Sequence, residues 1–227
     1  MKKLLLLLLV GLTLNTFAQK DANAFKADGN AAYKAKDYAK AFTAYAEALK
    51  LNDKNGIVDD ALIYNTGYCA FKAKKYKEAV PYFQKSIKLG YKESKPYQMV
   101  AVIQYKQNDI DNMIETCETG LTKYPNDTKL KGYASKAYLK KGLIFYNKGN
   151  KIKKAANESG LNESNPEQFK AEYDKADAEF KKSLPFMEKS YKFDNKNKNT
   201  LKVLQNIYTN LEETDKAAEF KAKLDNL

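Results

Sequence analysis

The 227-residue chain contains no histidine and no tryptophan, and all 40 of its basic residues are lysine, none arginine. Without imidazole there is no conventional serine–histidine triad and no histidine metal ligand. Only two cysteines are present, Cys69 and Cys117, and they lack metal-site spacing. No glycine-rich phosphate loop occurs. Aspartates and glutamates are numerous but recur at helical surface intervals beside lysines, the pattern of solvated pairs. These absences point away from an enzyme, and no cofactor or metal is expected. The missing arginine also bears on the net charge of +12. A basic chain suggests nucleic acid or an anionic surface, but the forked contacts that read phosphates and base edges belong to arginine. Nucleic acid is therefore not an expected partner.

What is present begins with an address. Lys2 and Lys3 precede an apolar run from Leu4 to Leu14, interrupted only by Gly11 and Thr13. Thr16-Phe17-Ala18 then puts small residues at the two places a signal peptidase reads. The pattern predicts a secretory signal peptide over 1–18, because the run falls short of the ~20 residues a membrane helix needs. Cleavage after Ala18 removes two lysines and no acid. No cysteine follows the run, so a lipoprotein is not expected, and no second long apolar run follows. The expected product is exported, to a bacterial periplasm, with no integral membrane segment after cleavage. Such a compartment permits a disulfide, but both cysteines fall on helices in the repeat described next and are read as small packed residues.

The remainder, 19–227, repeats itself. At a shift of 34 residues Gly67 meets Ala101 and then Ser135, and Phe71 meets Tyr105 and then Leu139. At a shift of 38, Gly29 meets Gly67, Tyr38 meets Tyr76, Ala41 meets Ala79 and Tyr45 meets Phe83. Each unit reads as two helices. In the first, Lys36-Asp37 makes the turn, and Asp37 carries negative charge where the next helix macrodipole favours it. Tyr38, Ala41, Phe42, Tyr45, Ala48 and Leu49 then form one apolar stripe at helical spacing. The units fall at about 22–55, 60–93, 94–127, 128–195 and 199–227.

Gly29-Asn30-Ala31-Ala32-Tyr33 followed by Asp37-Tyr38, Ala41, Tyr45 and Ala48 resembles the tetratricopeptide repeat, as does Gly67 with Tyr76-Lys77-Glu78-Ala79, Phe83 and Ser86. The resemblance covers roughly 22–227 and departs from the pattern in the third unit, where Cys117 and Gly120 replace an aromatic and an alanine. It implies an all-α, right-handed superhelical array of antiparallel helix pairs that binds proteins or peptides along its concave face.

The fourth unit is irregular. Tyr133 to Gly142 matches a first helix, but Leu143-Ile144-Phe145-Tyr146 continues where a turn is expected. Asn157 to Pro166 has loop composition. Ser183-Leu184-Pro185-Phe186-Met187 then parallels Ala79-Val80-Pro81-Tyr82-Phe83, with both prolines in one register. The reading is an insertion of about 149–179 forming an extended helical hairpin, with a proline bend at Pro185. Either Ser135 or Gly142 could take the close-packing place of the first helix, and both phases stay open. Lys148, Lys151, Lys153 and Lys154 gather near the end of this helix. They either answer its dipole or contact an anionic surface or an acidic partner.

Carried over from the family pattern, the groove residues are Lys26, Asn30, Tyr33 and Lys34; Tyr64, Tyr68, Phe71 and Lys72; Gln98, Val102, Tyr105 and Lys106; and Lys136 and Lys140. Tyrosine, a flat apolar body with a hydroxyl tip, suits an interface. Lysine at the ends favours an acidic segment or a terminal carboxylate. The expected function is that of a non-catalytic exported scaffold binding a protein or peptide. The alternative is a structural subunit of a cell-envelope assembly that docks through the long hairpin.

Overall fold

The computed structural model describes residues 21–227, so the signal-peptide expectation for 1–18 lies outside the described residues. The described residues form eleven helices and no strand: α1 (Ala22–Lys34), α2 (Tyr38–Lys54), α3 (Asp60–Lys72), α4 (Tyr76–Leu89), α5 (Lys95–Lys106), α6 (Ile110–Lys123), α7 (Thr128–Glu158), α8 (Leu161–Ser164), α9 (Pro166–Phe193), α10 (Lys198–Asn210) and α11 (Thr214–Asp225). No described helix is long and apolar enough to cross a membrane. The helices pair as five hairpins, α1–α2, α3–α4, α5–α6, α7–α9 and α10–α11. The second helix of each also packs on the first helix of the next.

Local chemistry marks the boundaries. Asp21, Asp37, Asp59, Asp127, Asn165 and Asn197 each precede a helix and accept a backbone N–H of its first turn. Each such cap contributes about 1 kcal/mol. Four hairpin turns share one geometry. Lys36, Lys74, Asn108 and Glu212 are left-handed, with φ of 60°, 61°, 58° and 59°. In each, the following residue donates its N–H back to the last turn of the first helix, as Asp37 does to the Ala32 carbonyl and Asp109 to the Gln104 carbonyl.

Small residues set the distance between paired helices. A Cβ added to Gly67 would lie 3.0 Å from the Tyr82 Cβ and 3.3 Å from the Phe83 ring. One on Gly142 would lie 3.2 Å from the Phe186 Cβ and 2.7 Å from Met187. Phe186 and Met187 stand where Tyr82 and Phe83 stand in the proline register. Gly142 therefore takes the close-packing place, and the phase left open in the sequence is decided. Ser135 makes the same kind of contact one heptad earlier, against Ser190 at 3.1 Å. Gly149 makes it one heptad later, against Phe180 and the Ala176 carbonyl. The hydroxyl of Ser183 donates to the Gly142 carbonyl at 2.8 Å. The long hairpin is thus one continuous seam with a seven-residue period, and neither helix is interrupted. α9 runs unbroken through Pro185, an exposed residue whose missing N–H faces water.

The core is a row of apolar clusters strung along the array. Ala41, Tyr45, Leu49, Leu62 and Ile63 join the first two hairpins. Phe83, Val100 and Ile103 join the next pair. Met113, Cys117, Leu130 and Ala134 join the third to the long hairpin. Phe180, Met187, Leu201, Leu204 and Ile207 join the long hairpin to the last. Each hairpin buries its apolar face against a neighbour, the economy of a linear repeat. Both cysteines are buried and unpaired, in different clusters. Burial pushes the Cys69 thiol up to about 11 and the Cys117 thiol up to about 12.

The root of the long hairpin does not stand free on both sides. α10 runs beside it, and Asn206 donates to the Tyr146 hydroxyl at 3.0 Å while Lys153 reaches the Asn210 side chain at 3.0 Å. On the other side, α5 ends and α6 begins opposite Lys140 and Lys141, which meet Asn108 at 3.2 Å and Asp111 at 2.7 Å.

These contacts separate two kinds of helical glycine. Gly142→Val should destabilise the protein by about 1–3 kcal/mol by overpacking the seam. Gly132→Ala, where an added Cβ meets nothing within 4 Å, should stabilise it by roughly 0.5–1 kcal/mol. Urea unfolding monitored by circular dichroism gives both signs.

Candidate functional site

The expected groove residues divide into three groups by what they touch. Some hold neighbouring hairpins together. The ammonium of Lys26 lies 2.5 Å from the Asp59 carboxylate. Gln98, buried, donates to Asp127 at 2.9 Å and to Ser94 at 3.2 Å, and Ser94 donates to the same Asp127 oxygen at 2.6 Å. Asp59 and Asp127 are the cap residues of α3 and α7. Each also accepts a first-turn N–H of its own helix, from Leu62 at 2.9 Å and Leu130 at 2.7 Å. One carboxylate therefore ends a helix and ties it to the preceding first helix. Asn30 is engaged differently: its carbonyl accepts from the Tyr45 hydroxyl at 2.8 Å within the first hairpin.

The second group packs. Tyr64 is half-buried, edge-on to Phe83 at 5.6 Å and against Tyr91 at 6.0 Å. Burial, then the neighbouring Tyr68, Tyr33 and Tyr91, raises its hydroxyl above the ordinary tyrosine value. Phe71 lies against Tyr76 at 5.9 Å.

The third group faces outward and is brought together at two places. Near the N-terminal end, Tyr33, Tyr38 and Tyr68 form a triangle with centroid distances of 5.8, 6.3 and 6.4 Å. The Lys72 ammonium sits 5.3 Å over the Tyr38 ring. Lys34 lies exposed at the end of α1 beside this cluster. Between α5 and α7, Val102, Tyr105, Lys106, Tyr133 and Lys136 line one cavity of about 440 Å³. Tyr105 is 41% exposed. Lys140 closes the rim, its ammonium 4.4 Å from the Tyr105 centroid. Lys136 lies 5.9 Å from the Tyr133 centroid. Among the described residues Lys106 and Lys136 have no carboxylate partner, so two cations and two tyrosines meet in one recess. Four of the five lining residues belong to the sequence-derived set. Tyr133 does not, because it corresponds to none of the positions carried over from the family pattern.

The lysines of the long hairpin do not form a patch at its tip. Lys148 lies 3.0 Å from Glu179 and Lys154 lies 3.7 Å from Glu158. Lys153 reaches Asn210 and sits 4.6 Å over the Tyr173 ring. These three are engaged separately, and Lys151 is exposed with no ion pair among the described residues.

A second cavity of about 430 Å³ lies among α4, α5 and α6, walled by Gln84, Gln104, Gln107, Asn112, Thr116 and Thr119. The carboxylates of Asp109 and Glu115 and the apolar side chains of Val80, Ile87 and Val100 also line it, and the lining holds no cation. No group of three or more histidine, cysteine, aspartate or glutamate side chains among the described residues could hold a metal ion.

No family model and no curated protein sequence matches the chain. Among solved structures it is similar to a TPR repeats protein from Bacteroides fragilis NCTC 9343, with 26% identity, a TM-score of 0.51, and coverage of 84% of this chain and 99% of that one. The fold is a tetratricopeptide-type array. MamA 41-end from Desulfovibrio magneticus RS-1 is similar in fold alone, with 15% identity, a TM-score of 0.50, and coverage of 92% and 96%. In this array the expected tyrosine and lysine groove residues lie on the first helices α1, α3, α5 and α7.

The cap carboxylates make stability depend on acid. Burial alone would raise Asp127, but hydrogen bonds from Ser94, the Leu130 amide and Gln98 outweigh it and hold the group below the ordinary carboxylate value. Asp59 is lowered in the same way: burial is opposed by Lys26 and the Leu62 amide. A lowered folded-state value gives stability that is present above the unfolded value, about 4, and is lost as pH falls through the folded value. The urea midpoint should drop below about pH 4. Asp127→Asn, already lacking the charge, should show a shallower acid loss than the parent protein.

Proposed function

We propose that this protein is an exported, non-catalytic scaffold that holds a protein or peptide segment against its first-helix face, with the cavity between α5 and α7 as the anchor point. The observation that carries the reading is the meeting of Val102, Tyr105, Lys106, Tyr133 and Lys136 around one recess. Its volume is in the range of small ligand sites and suits one or two side chains. Val102 and the faces of Tyr105 and Tyr133 offer apolar contact. Lys106 and Lys136 supply charge with no partner of its own. The chemistry selects an apolar or aromatic side chain next to a carboxylate, either an acidic residue or the terminus of a chain. Tyrosine loses little side-chain freedom on binding and so makes a good anchor.

The tyrosine triangle of Tyr33, Tyr38 and Tyr68 gives a second point of contact farther along the same face. A segment running between the two would cross from the first hairpin to the fourth. A partner held at two points gains from effective concentration without any new chemistry. Export is proposed from the first 18 residues, with their lysine start, apolar run and small residues before Gln19.

Two measurements test the reading. Crosslinked capture from intact cell envelopes, with partners identified by mass spectrometry, should recover a partner with the parent protein. Tyr105→Ala and Lys106→Glu should each lower its recovery about tenfold while leaving the unfolding midpoint unchanged. A partner retained by both variants would remove the cavity from the function. N-terminal sequencing of protein made in an exporting cell should begin at Gln19; a chain that retains Met1 would refute export by this signal.

A further inference from the structure

The long hairpin outruns its neighbour on one side, and the surface this leaves bare has a definite composition. α7 carries Leu130, Ala134, Ala137 and Lys141 towards α6, and the last of these meets Asp111 in the first turn of α6. α6 begins at Ile110, so the next positions of the stripe, Ile144, Phe145 and Lys148, extend past it. Ile144 is 57% exposed. Beside it the half-buried rings of Phe145 and Phe186 stack at 5.6 Å, nearly parallel at 10°. On the opposite side of the hairpin the same stretch is covered by α10, through Leu204, Ile207 and their contacts with Phe180 and Tyr146. The two sides of one seam therefore differ: one is covered, the other is a shelf.

The charge around the shelf is predominantly positive. Between Thr128 and Asn157, α7 has nine lysines and no aspartate or glutamate. Of the carboxylates at the shelf's border, exposed Asp111 is paired with Lys141 at 2.7 Å, and Glu179 of α9 is 5% exposed and already held by two ammoniums, Lys148 at 3.0 Å and Lys182 at 2.8 Å. It presents no negative surface. Lys151, one turn beyond Lys148, is exposed and has no ion pair among the described residues. A second copy of this chain would bring lysines against lysines, which disfavours self-association through this face.

We propose that the shelf formed by Ile144, Phe145 and Phe186 docks an acidic amphipathic helix of a partner protein. The vacancy lies in line with α6, in a lattice of helices packed side by side, so the occupant that continues this packing is itself helical. Its apolar stripe covers Ile144 and the stacked rings, and its carboxylates reach Lys148, Lys151 and Lys182. From Lys141 to the end of α7 at Glu158 the shelf runs about 25 Å, the length of roughly four to five helical turns. This surface is distinct from the cavity between α5 and α7, so the two can be occupied together.

The test uses a fluorescein-labelled peptide of about 18 residues with leucine on an i, i+3, i+4, i+7 stripe and glutamate and alanine elsewhere. Two controls accompany it: the same pattern with lysine for glutamate, and the acidic composition scrambled to destroy the stripe. Anisotropy titrations with the purified protein should show binding of the acidic stripe only. Ile144→Asp and Lys151→Glu, both at exposed positions, should weaken it about tenfold and several-fold, with circular dichroism melts unchanged. Tyr105→Ala should leave it within twofold, which separates this surface from the cavity. Equal binding by Ile144→Asp, by the lysine peptide or by the scrambled peptide would overturn the proposal. So would sedimentation showing a dimer that Ile144→Asp dissociates, since the shelf would then belong to a second copy.

Discussion

The spacing of paired helices rests on one contact, a large side chain laid over a residue with no side chain. Tyr45 covers Gly29, Phe83 covers Gly67, Met187 covers Gly142 and Phe180 covers Gly149. Where a Cβ would stand within about 3 Å of these atoms, the helices are as close as backbones allow. That closeness directs the remaining apolar residues of each hairpin outward to the next hairpin. The clusters between hairpins follow from it, and so does the array. In the fourth unit the same contact recurs at seven-residue intervals, and a repeat that would have turned becomes a hairpin two heptads longer.

Stacking then creates junctions, and polar groups specify them. Asp59 and Asp127 each cap a helix and hold a side chain of the preceding first helix. At the junction of the third hairpin with the fourth, Tyr138 donates to Glu118, and Lys189 donates to both, at 3.2 Å to the carboxylate and 3.0 Å to the hydroxyl. These bonds fix the angle between successive hairpins, whereas apolar contact alone would tolerate sliding. The outward face available to a partner consists of whatever the junctions do not use. Lys26 and Gln98 are consumed by them; Tyr105, Lys106 and Lys136 are not.

This explains why the candidate site was only partly legible in the sequence. A family pattern assigns positions on a helix, and it puts Lys26 and Lys136 alike on the groove face. Their difference is the presence of an acid on the next helix cap, a contact made across more than thirty residues of chain. Tyr133 was missed for a related reason. Its place beside Tyr105 and Lys106 is set by the packing of α7 against α5, and the repeat pattern of α7 alone does not record it. The exposed state of Ile144 was equally hidden. Its apolar neighbours suggest burial, and only the end of α6 at Ile110 leaves it bare.

The sequence by itself determined the helical class and the pairing into hairpins, though it read the short helix α8 as loop. Period, apolar stripe, cap and turn are local properties, carried within a few residues of where they act. It also determined the sign of the charge and the chemistry available, through a lysine-only basic complement without imidazole. Tertiary structure alone decided which lysines keep their charge unpartnered, which tyrosines pack and which stand exposed, and which side of the long hairpin is covered. Those outcomes depend on where neighbouring helices end in space, and helix ends meet across distances that no local pattern records.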